Sequence, residues 1–222
     1  MAFFDPLTKL PNRRTLSDRL GQTMASSKRS GRYGALMVLD LDNFKPLNDT
    51  HGHGAGDLLL EVVAGRMMAC VREVDTVSRI GGDEFVVLLS ELDTDRSESI
   101  SQAGLIAEKI RLALAAPYSL PLTRQGQAAS AVEHLCSVSI GVVLLSNHEA
   151  SQEDILRWAD AAMYQAKAAG RNAIRFMAWT DSLEWLQLAH PEAKSHTGSW
   201  DRTVQGSDQG ADPVPASGQL AA

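Results

Sequence analysis

Cysteine is scarce in this chain, a positive charge excess is absent, and no apolar run is long. Two cysteines in 222 residues, Cys70 and Cys136, are too few for a disulfide framework and lack metal-ligand spacing. A reduced, cytoplasmic setting fits them, with both thiols in the core and not catalytic. No stretch approaches the ~18 consecutive apolar residues of a membrane span. A secretory leader is not expected either, because Met1-Ala2-Phe3-Phe4 is followed at once by Asp5-Pro6. The formal net charge is −6, which argues against a partner that is a nucleic-acid polymer, since backbone binders are usually basic. It leaves a nucleotide substrate open, because a bound divalent metal inverts the local sign. No internal repeat is visible.

What remains is an ordinary soluble composition, 44% hydrophobic and 22% charged, in a length that fits one or two domains and one substantial core. The most informative stretch is Arg79-Ile80-Gly81-Gly82-Asp83-Glu84-Phe85. Two glycines between the apolar runs Asp75–Ile80 and Phe85–Leu89 predict a hairpin, since glycine reaches positive φ without a Cβ clash. Adjacent carboxylates at a tip are usually just solvated. A second acidic cluster about forty residues upstream changes that assessment. Ala35-Leu36-Met37-Val38-Leu39 predicts a central strand covered on both faces, and it ends in Asp40-Leu41-Asp42, at a sheet edge where ligands commonly bind.

Around these runs the chain reads as a helix from Asn12 to about Ala25, after the turn-rich segment Asp5–Arg14. A Gly-rich stretch, His51 to Asp57, leads into a helix with Leu58, Leu59, Val62, Val63 and Met67 at helical spacing, to about Val71. Further helices are predicted over Glu98–Ala116 and Ser151–Ala169. Ser151 is the N-cap of the latter, and Gly170 stops it. Tyr118–Leu122 and Leu135–Leu145 are expected to pair as strands, with Thr123–His134 unplaced between them, and Ala173–Met177 forms a final short strand. Past Met177 a short helix around Trp179, Leu183 and Leu186 is expected, then a disordered tail from His190. The domain division is thus 1–177 and 178–222.

Asp40-Leu41-Asp42-x-Phe44-Lys45-x-x-Asn48-Asp49, Gly52-His53-x-x-Gly56-Asp57 and Arg79-x-Gly81-Gly82-Asp83-Glu84-Phe85 resemble the motifs of the GGDEF family of diguanylate cyclases. Ser139-Ile140-Gly141-Val142 and the run from Ala159-Asp160 through Met163-Tyr164 and Lys167 to Gly170-Arg171-Asn172 are similar to its later motifs. The resemblance runs from about Asp5 to Phe176. One departure is Lys9, where the family often has glycine. The resemblance implies an α+β fold of the ferredoxin-like, polymerase-palm kind, a mostly antiparallel central sheet flanked by helices. It also implies a nucleotidyl transfer that joins two GTP into cyclic di-GMP with release of two pyrophosphates.

The chemistry explains the residue types. A ribose 3′-hydroxyl must lose a proton and attack an α-phosphorus while charge is stabilised on the phosphoryl group. Hard divalent ions suit this, so Mg²⁺, with Mn²⁺ as an alternative, is the expected cofactor. The resemblance places Asp40 and Asp83 together as metal ligands, with the Leu41 carbonyl as a further one. Glu84 is either a second ligand or the proton acceptor. A calcium loop fails, since Phe44 and Lys45 occupy its third-ligand and glycine positions, and a zinc site at His51 and His53 lacks further nearby ligands. A carboxylate can accept both N–H donors on the pairing edge of guanine, so Asp57 suits a base reader, with Asn48 beside it. The alternatives are a helix cap at Asp57 and a turn cap at Asn48. Lys45, Lys167 and Arg171 match phosphate-contacting positions. Lys167 and Arg171 share a face if their helix persists past Gly170. The backbone amides of Asn43 to Lys45, next to Phe44, can cradle phosphate. Arg72-Glu73-Val74-Asp75 resembles the family's inhibitory product site, at which cyclic di-GMP binds.

The reaction needs two GTP-loaded half-sites face to face, so a homodimer is expected. The motif-bearing region begins almost at Met1, so the helix and any sensor or dimerisation domain that usually precede it are not expected in this stretch, and isolated chains are expected to associate weakly. Two other classes remain open at this level. A GTP or cyclic di-GMP binding module without turnover would stay inactive even when dimerised. Another palm-type cyclase or polymerase would not choose guanine through Asn48 and Asp57.

Overall fold

The computed structural model describes residues 3–122, 130–145 and 150–177. They lie within one unit, Met1–Trp179. The expected helix around Trp179 and the expected tail fall outside the described residues.

Nine consecutive buried residues form the axis of the fold, strand β1 (Gly34–Asp42). Its neighbours are β3 (Glu84–Leu89), antiparallel, and β6 (Ser137–Leu145), antiparallel. With β2 (Thr76–Gly81) and β7 (Ile174–Phe176) they make a five-stranded sheet in the order β2-β3-β1-β6-β7, in which only the β6-β7 pair is parallel. The period-2 alternation of a strand divides β1 between two cores. Met37, Leu39 and Leu41 join Val63, Ala107 and Ile110 on one face, and Leu36 and Val38 join Leu16, Leu20, Ile155 and Ala159 on the other. The first core lies under α3 (His53–Met68) and α4 (Arg96–Ala115), the second under α1 (Arg13–Ser30) and α5 (Gln152–Ala168). Apolar residues on both faces are what covering on both sides demands. Among the described residues no helix is long and apolar enough to cross a membrane.

Local chemistry fixes the helix ends. Asn12 caps α1 by accepting from the Thr15 N–H at 3.2 Å, and Ser151 makes a capping box with Asp154 at the start of α5. Helix α1 runs one turn further than its apolar spacing indicates and stops at Gly31, in the left-handed region with φ 70°. Lys9, the departure from the family pattern, holds φ 60°, a backbone that glycine adopts without strain.

Three expectations need correction. A short helix, α2 (Phe44–His51), follows β1 where no element was predicted, because Pro46 and five polar residues hide its one buried apolar position, Leu47. Strand β4 (Tyr118–Leu122) does not pair with β6. It pairs with β5 (Ser130–His134) in a separate two-stranded sheet, and the partner of β6 is β1. The buried face of β6 fits the central sheet, whereas polar, alternating β5 fits an outlying hairpin. Helix α5 ends at Ala168, so Lys167 and Arg171 do not share a helical face. The chain turns left-handed through Gly170, Arg171 and Asn172.

Candidate active site

The carboxyl end of β1 and the tip of the β2-β3 hairpin meet. Gly81 and Gly82, with φ 154° and 50°, make the turn, and Asp40 stands opposite Glu84 in the β1-β3 register. Directly opposed residues of an antiparallel pair point to the same side, here the side of α1 and α5. The Leu41 N–H donates to the Asp83 carbonyl at 3.3 Å, which carries the pairing on to the tip. The tip is braced from elsewhere. Arg79 donates through Nε and Nη2 to the Gly82 carbonyl at 3.0 and 2.8 Å, and through Nη1 to both oxygens of Asp5 at 3.1 Å. Asp5 is itself held by the Thr8 amide and hydroxyl. This brace escaped sequence reasoning, although Arg79 stands inside the most informative motif.

Asp40 is buried and Glu84 half-buried, and with Asp83 nearby their charges repel one another. Burial, with Asp83 and Asp42 nearby, pushes Asp40 up to about 6 against the opposing pull of Lys167. Burial, then Asp40, Asp160 and Asp83, raises Glu84 above the usual glutamate range. Lys167, from the last turn of α5, pairs with Asp40 at 2.7 Å. The donors are hard oxygens and their mutual repulsion calls for a cation, so the chemistry of the set fits a divalent ion. As they stand, Lys167 supplies the positive charge, and among the described residues no three acidic, histidine or cysteine side chains are gathered to hold a metal.

Asp42, two residues on, is 2% exposed and fully occupied by structure. It accepts from Ser137 Oγ at 2.7 Å, Ser139 Oγ at 2.8 Å and the Asn172 N–H at 3.0 Å. Its neighbour Asn43 holds φ 61°, a left-handed residue before the first turn of α2. That sequence of conformations turns successive N–H groups to one side.

The α2 and α3 helices pack against each other beyond this point. Asn48 Oδ1 is buried and has no hydrogen-bond partner among the described residues. A Cβ at Gly56 would overlap that oxygen and press on the Phe44 ring, so glycine is required where α3 passes α2. Asp57 is exposed in the second turn of α3. The helix begins at His53, so Asp57 caps nothing. Lys45 is exposed on the first turn of α2, and His53 is exposed at the start of α3. Arg171 is exposed in the turn after α5.

Arg72 and Asp75 lie at the other end of the hairpin, away from the carboxylates. Asp75, with a side chain 0% exposed, accepts from the Arg72 amide at 2.9 Å, from the Arg72 guanidinium twice at 3.2 Å, and from the Ser90 amide at 3.2 Å. Arg72 Nη2 also donates to the Ser90 carbonyl at 2.9 Å. Arg72 keeps half its side chain in solvent.

The chain matches the family model described as "Diguanylate cyclase, GGDEF domain" over residues 2–173. It is 40% identical over 193 residues to the bifunctional diguanylate cyclase/cyclic di-GMP phosphodiesterase MucR of Pseudomonas aeruginosa, covering 86% of this chain and 26% of that protein. To the diguanylate cyclase DgcP of the same species it is 39% identical over 173 residues, 78% of this chain and 24% of that protein. The chain therefore spans about a quarter of the length of these curated relatives. Among solved structures, the GGDEF domain of TpbB (YfiN) from P. aeruginosa is similar with a TM-score of 0.67 at 36% identity, covering 78% of this chain and 99% of that one. The GGDEF domain of DgcB from Caulobacter crescentus, solved in complex with c-di-GMP, gives 0.67 at 30% identity, covering 80% and 96%.

Proposed function

This chain belongs to the GGDEF family of diguanylate cyclases, and we propose that it condenses two GTP into cyclic di-GMP and two pyrophosphates. The reaction depends on Mg²⁺, with Mn²⁺ as an alternative, and runs across a homodimer in the cytoplasm. The product acts back at Arg72 and Asp75. The observation that carries this reading is the convergence of Asp40, Asp83 and Glu84 at one sheet end beside the Lys167 ammonium.

Each group then has a task. Asp40 and Asp83, with the Leu41 carbonyl, offer hard oxygens to the cation. When bound, that cation neutralises charge on the phosphoryl group under attack. Glu84, whose surroundings raise its proton affinity, is suited to take the proton of the 3′-hydroxyl or to complete the ligand set. Lys167 leaves Asp40 for the triphosphate, which Lys45, Arg171 and the amides of Asn43 to Lys45 also meet. Asn48 and Asp57 read guanine. The unpartnered Asn48 oxygen lacks a donor that a base amine supplies, and the exposed Asp57 carboxylate accepts the two adjacent N–H groups of the pairing edge. Phe44 flanks that site.

The test is GTP turnover with Mg²⁺, products separated by chromatography. The chain should yield cyclic di-GMP, and Asp83→Ala should lose at least about 100-fold in rate. Asp57→Ala should narrow the preference for GTP over ATP about tenfold, as expected for a lost charged hydrogen-bond pair. Nucleotide binding without product, even from a covalently tethered dimer, would leave a binding module in place of an enzyme.

A further inference from the structure

The turn that follows α5 holds Arg171 in a conformation that arginine does not favour. Arg171 and Asn172 both have positive φ, 64° and 45°. Asparagine tolerates that region, because its short polar side chain bonds locally, whereas arginine is rarely found there. The Gly170 N–H donates to the Lys167 carbonyl at 3.3 Å, and three further contacts hold the turn. The Arg171 N–H donates to the Ala166 carbonyl at 3.1 Å. The Asn172 N–H donates to Asp42 Oδ2 at 3.0 Å, and Asn172 Oδ1 accepts from Arg111 Nη1 at 2.7 Å. Both anchors are themselves fixed. Asp42 is bound by the hydroxyls of Ser137 and Ser139 on β6, and Arg111 on α4 is gripped by both oxygens of Glu108 at 2.7 Å. A continuous strut therefore runs from α4 through the turn to the end of β1, two residues from Asp40.

We propose that Asp42, Asn172 and Arg111 are positioning residues that hold the Gly170–Asn172 turn so that Arg171 presents its guanidinium to the nucleotide triphosphate. This rests on the reading of Arg171 as a triphosphate contact. It gives Asp42 a role distinct from the carboxylates beside it: its oxygens are spent on hydroxyls and an amide, and it orders a cation-bearing turn instead of carrying a metal. An arginine on an unanchored turn would spread over many positions and lose most of its effect on affinity.

The test is calorimetric titration of a non-hydrolysable GTP analogue with Mg²⁺ into the wild-type chain, Arg171→Ala, Asn172→Ala and Arg111→Met. The last two are also made on the Arg171→Ala background, with the melting temperature of each recorded. Arg111→Met leaves the turn sequence intact should Asn172→Ala fold poorly, and Asn172→Asp retains both the acceptor and the left-handed preference. Asn172→Ala and Arg111→Met should each weaken binding about three- to tenfold in the wild-type background, and by less than about twofold when Arg171 is already alanine. Asn172→Asp should restore most of the loss. Equal weakening in both backgrounds, or unchanged affinity with only a lowered melting temperature, would overturn the proposal. Failure of the cyclase reading shows separately, as a wild-type chain that binds the analogue but makes no cyclic dinucleotide. A wild-type chain that does not bind the analogue would overturn both.

Discussion

Asp40 is where folding and chemistry oppose each other most directly. Its carboxyl goes from an ordinary 3.8 to about 6 in the folded chain. Between those pH values the folded chain keeps a proton that the unfolded chain has lost. The metal-free fold therefore loses stability as pH rises from about 4 to about 6, and above that the cost is fully present. Asparagine keeps the shape and an acceptor for Lys167 but removes the charge. In chelator at neutral pH, Asp40→Asn should be more stable than wild type by on the order of 1–2 kcal/mol, a few degrees in melting temperature. The gap should close near pH 4, and cyclic di-GMP formation should be lost. A variant that melts below wild type at neutral pH would show that the Lys167 ion pair outweighs the burial cost. The residues proposed for such chemistry were legible because they sit in short local strings. Their supports were not. Arg79 reaches Asp5 and Asp42 reaches Asn172 across 74 and 130 positions of sequence, a separation that spacing rules, which are local, cannot bridge.

The β2-β3 hairpin joins the two proposed sites. Its tip carries Asp83 and Glu84, and its base is tied to Asp75, which holds Arg72 half in solvent. The two residues of the proposed inhibitory site are therefore not equivalent. Arg72→Ala removes the half-exposed ligand group and two of the hydrogen bonds to the buried Asp75 carboxylate, which the amides of Arg72 and Ser90 still hold. It should relieve inhibition by cyclic di-GMP at least about tenfold in inhibitor concentration, at a cost of about 1–2 kcal/mol in stability. Asp75→Ala leaves the amides of Arg72 and Ser90 without their acceptor in a buried place, so it should relieve inhibition and also cost about 2–3 kcal/mol. Inhibition curves and thermal melts of the two variants check both halves, and equal inhibition of Arg72→Ala and wild type would remove this site. The hairpin itself was readable from two glycines between apolar runs, and β1 from its unbroken apolar stretch. The β4-β5 pairing was not, because a strand with alternating polarity names no partner: Ser130–His134 carries too little apolar surface to distinguish a central position from an outlying one. Helix α2 was hidden for a related reason, since a helix with one buried apolar residue has no periodicity to read.

At the scale of the whole molecule, the described residues of each chain hold one set of the proposed catalytic groups, and the proposed product needs two bonds. Cyclic di-GMP is two-fold symmetric, each half made by a 3′-hydroxyl attacking the α-phosphorus of the other nucleotide. In the proposed mechanism the one carboxylate cluster, at one sheet end, serves one triphosphate with its own guanine reader. On that proposal the second bond needs a second copy facing the first, and a two-fold pair of chains would make both bonds by the same geometry. The net charge of −6 works against such an encounter at low salt, because like-charged chains repel until counter-ions screen them within about 8–10 Å. Specific activity should therefore rise with protein concentration, approaching second order in protein while the dimer is scarce. In the same low-concentration range it should also rise with moderate salt. A covalently tethered pair should lose the concentration dependence and keep the chemistry. Turnover that stays proportional to protein over a hundredfold dilution, in the untethered chain, would mean either a dimer tight enough to survive dilution or a site complete in one chain. Sedimentation at the same concentrations separates the two: a monomer with undiminished specific activity would sink the shared-site mechanism.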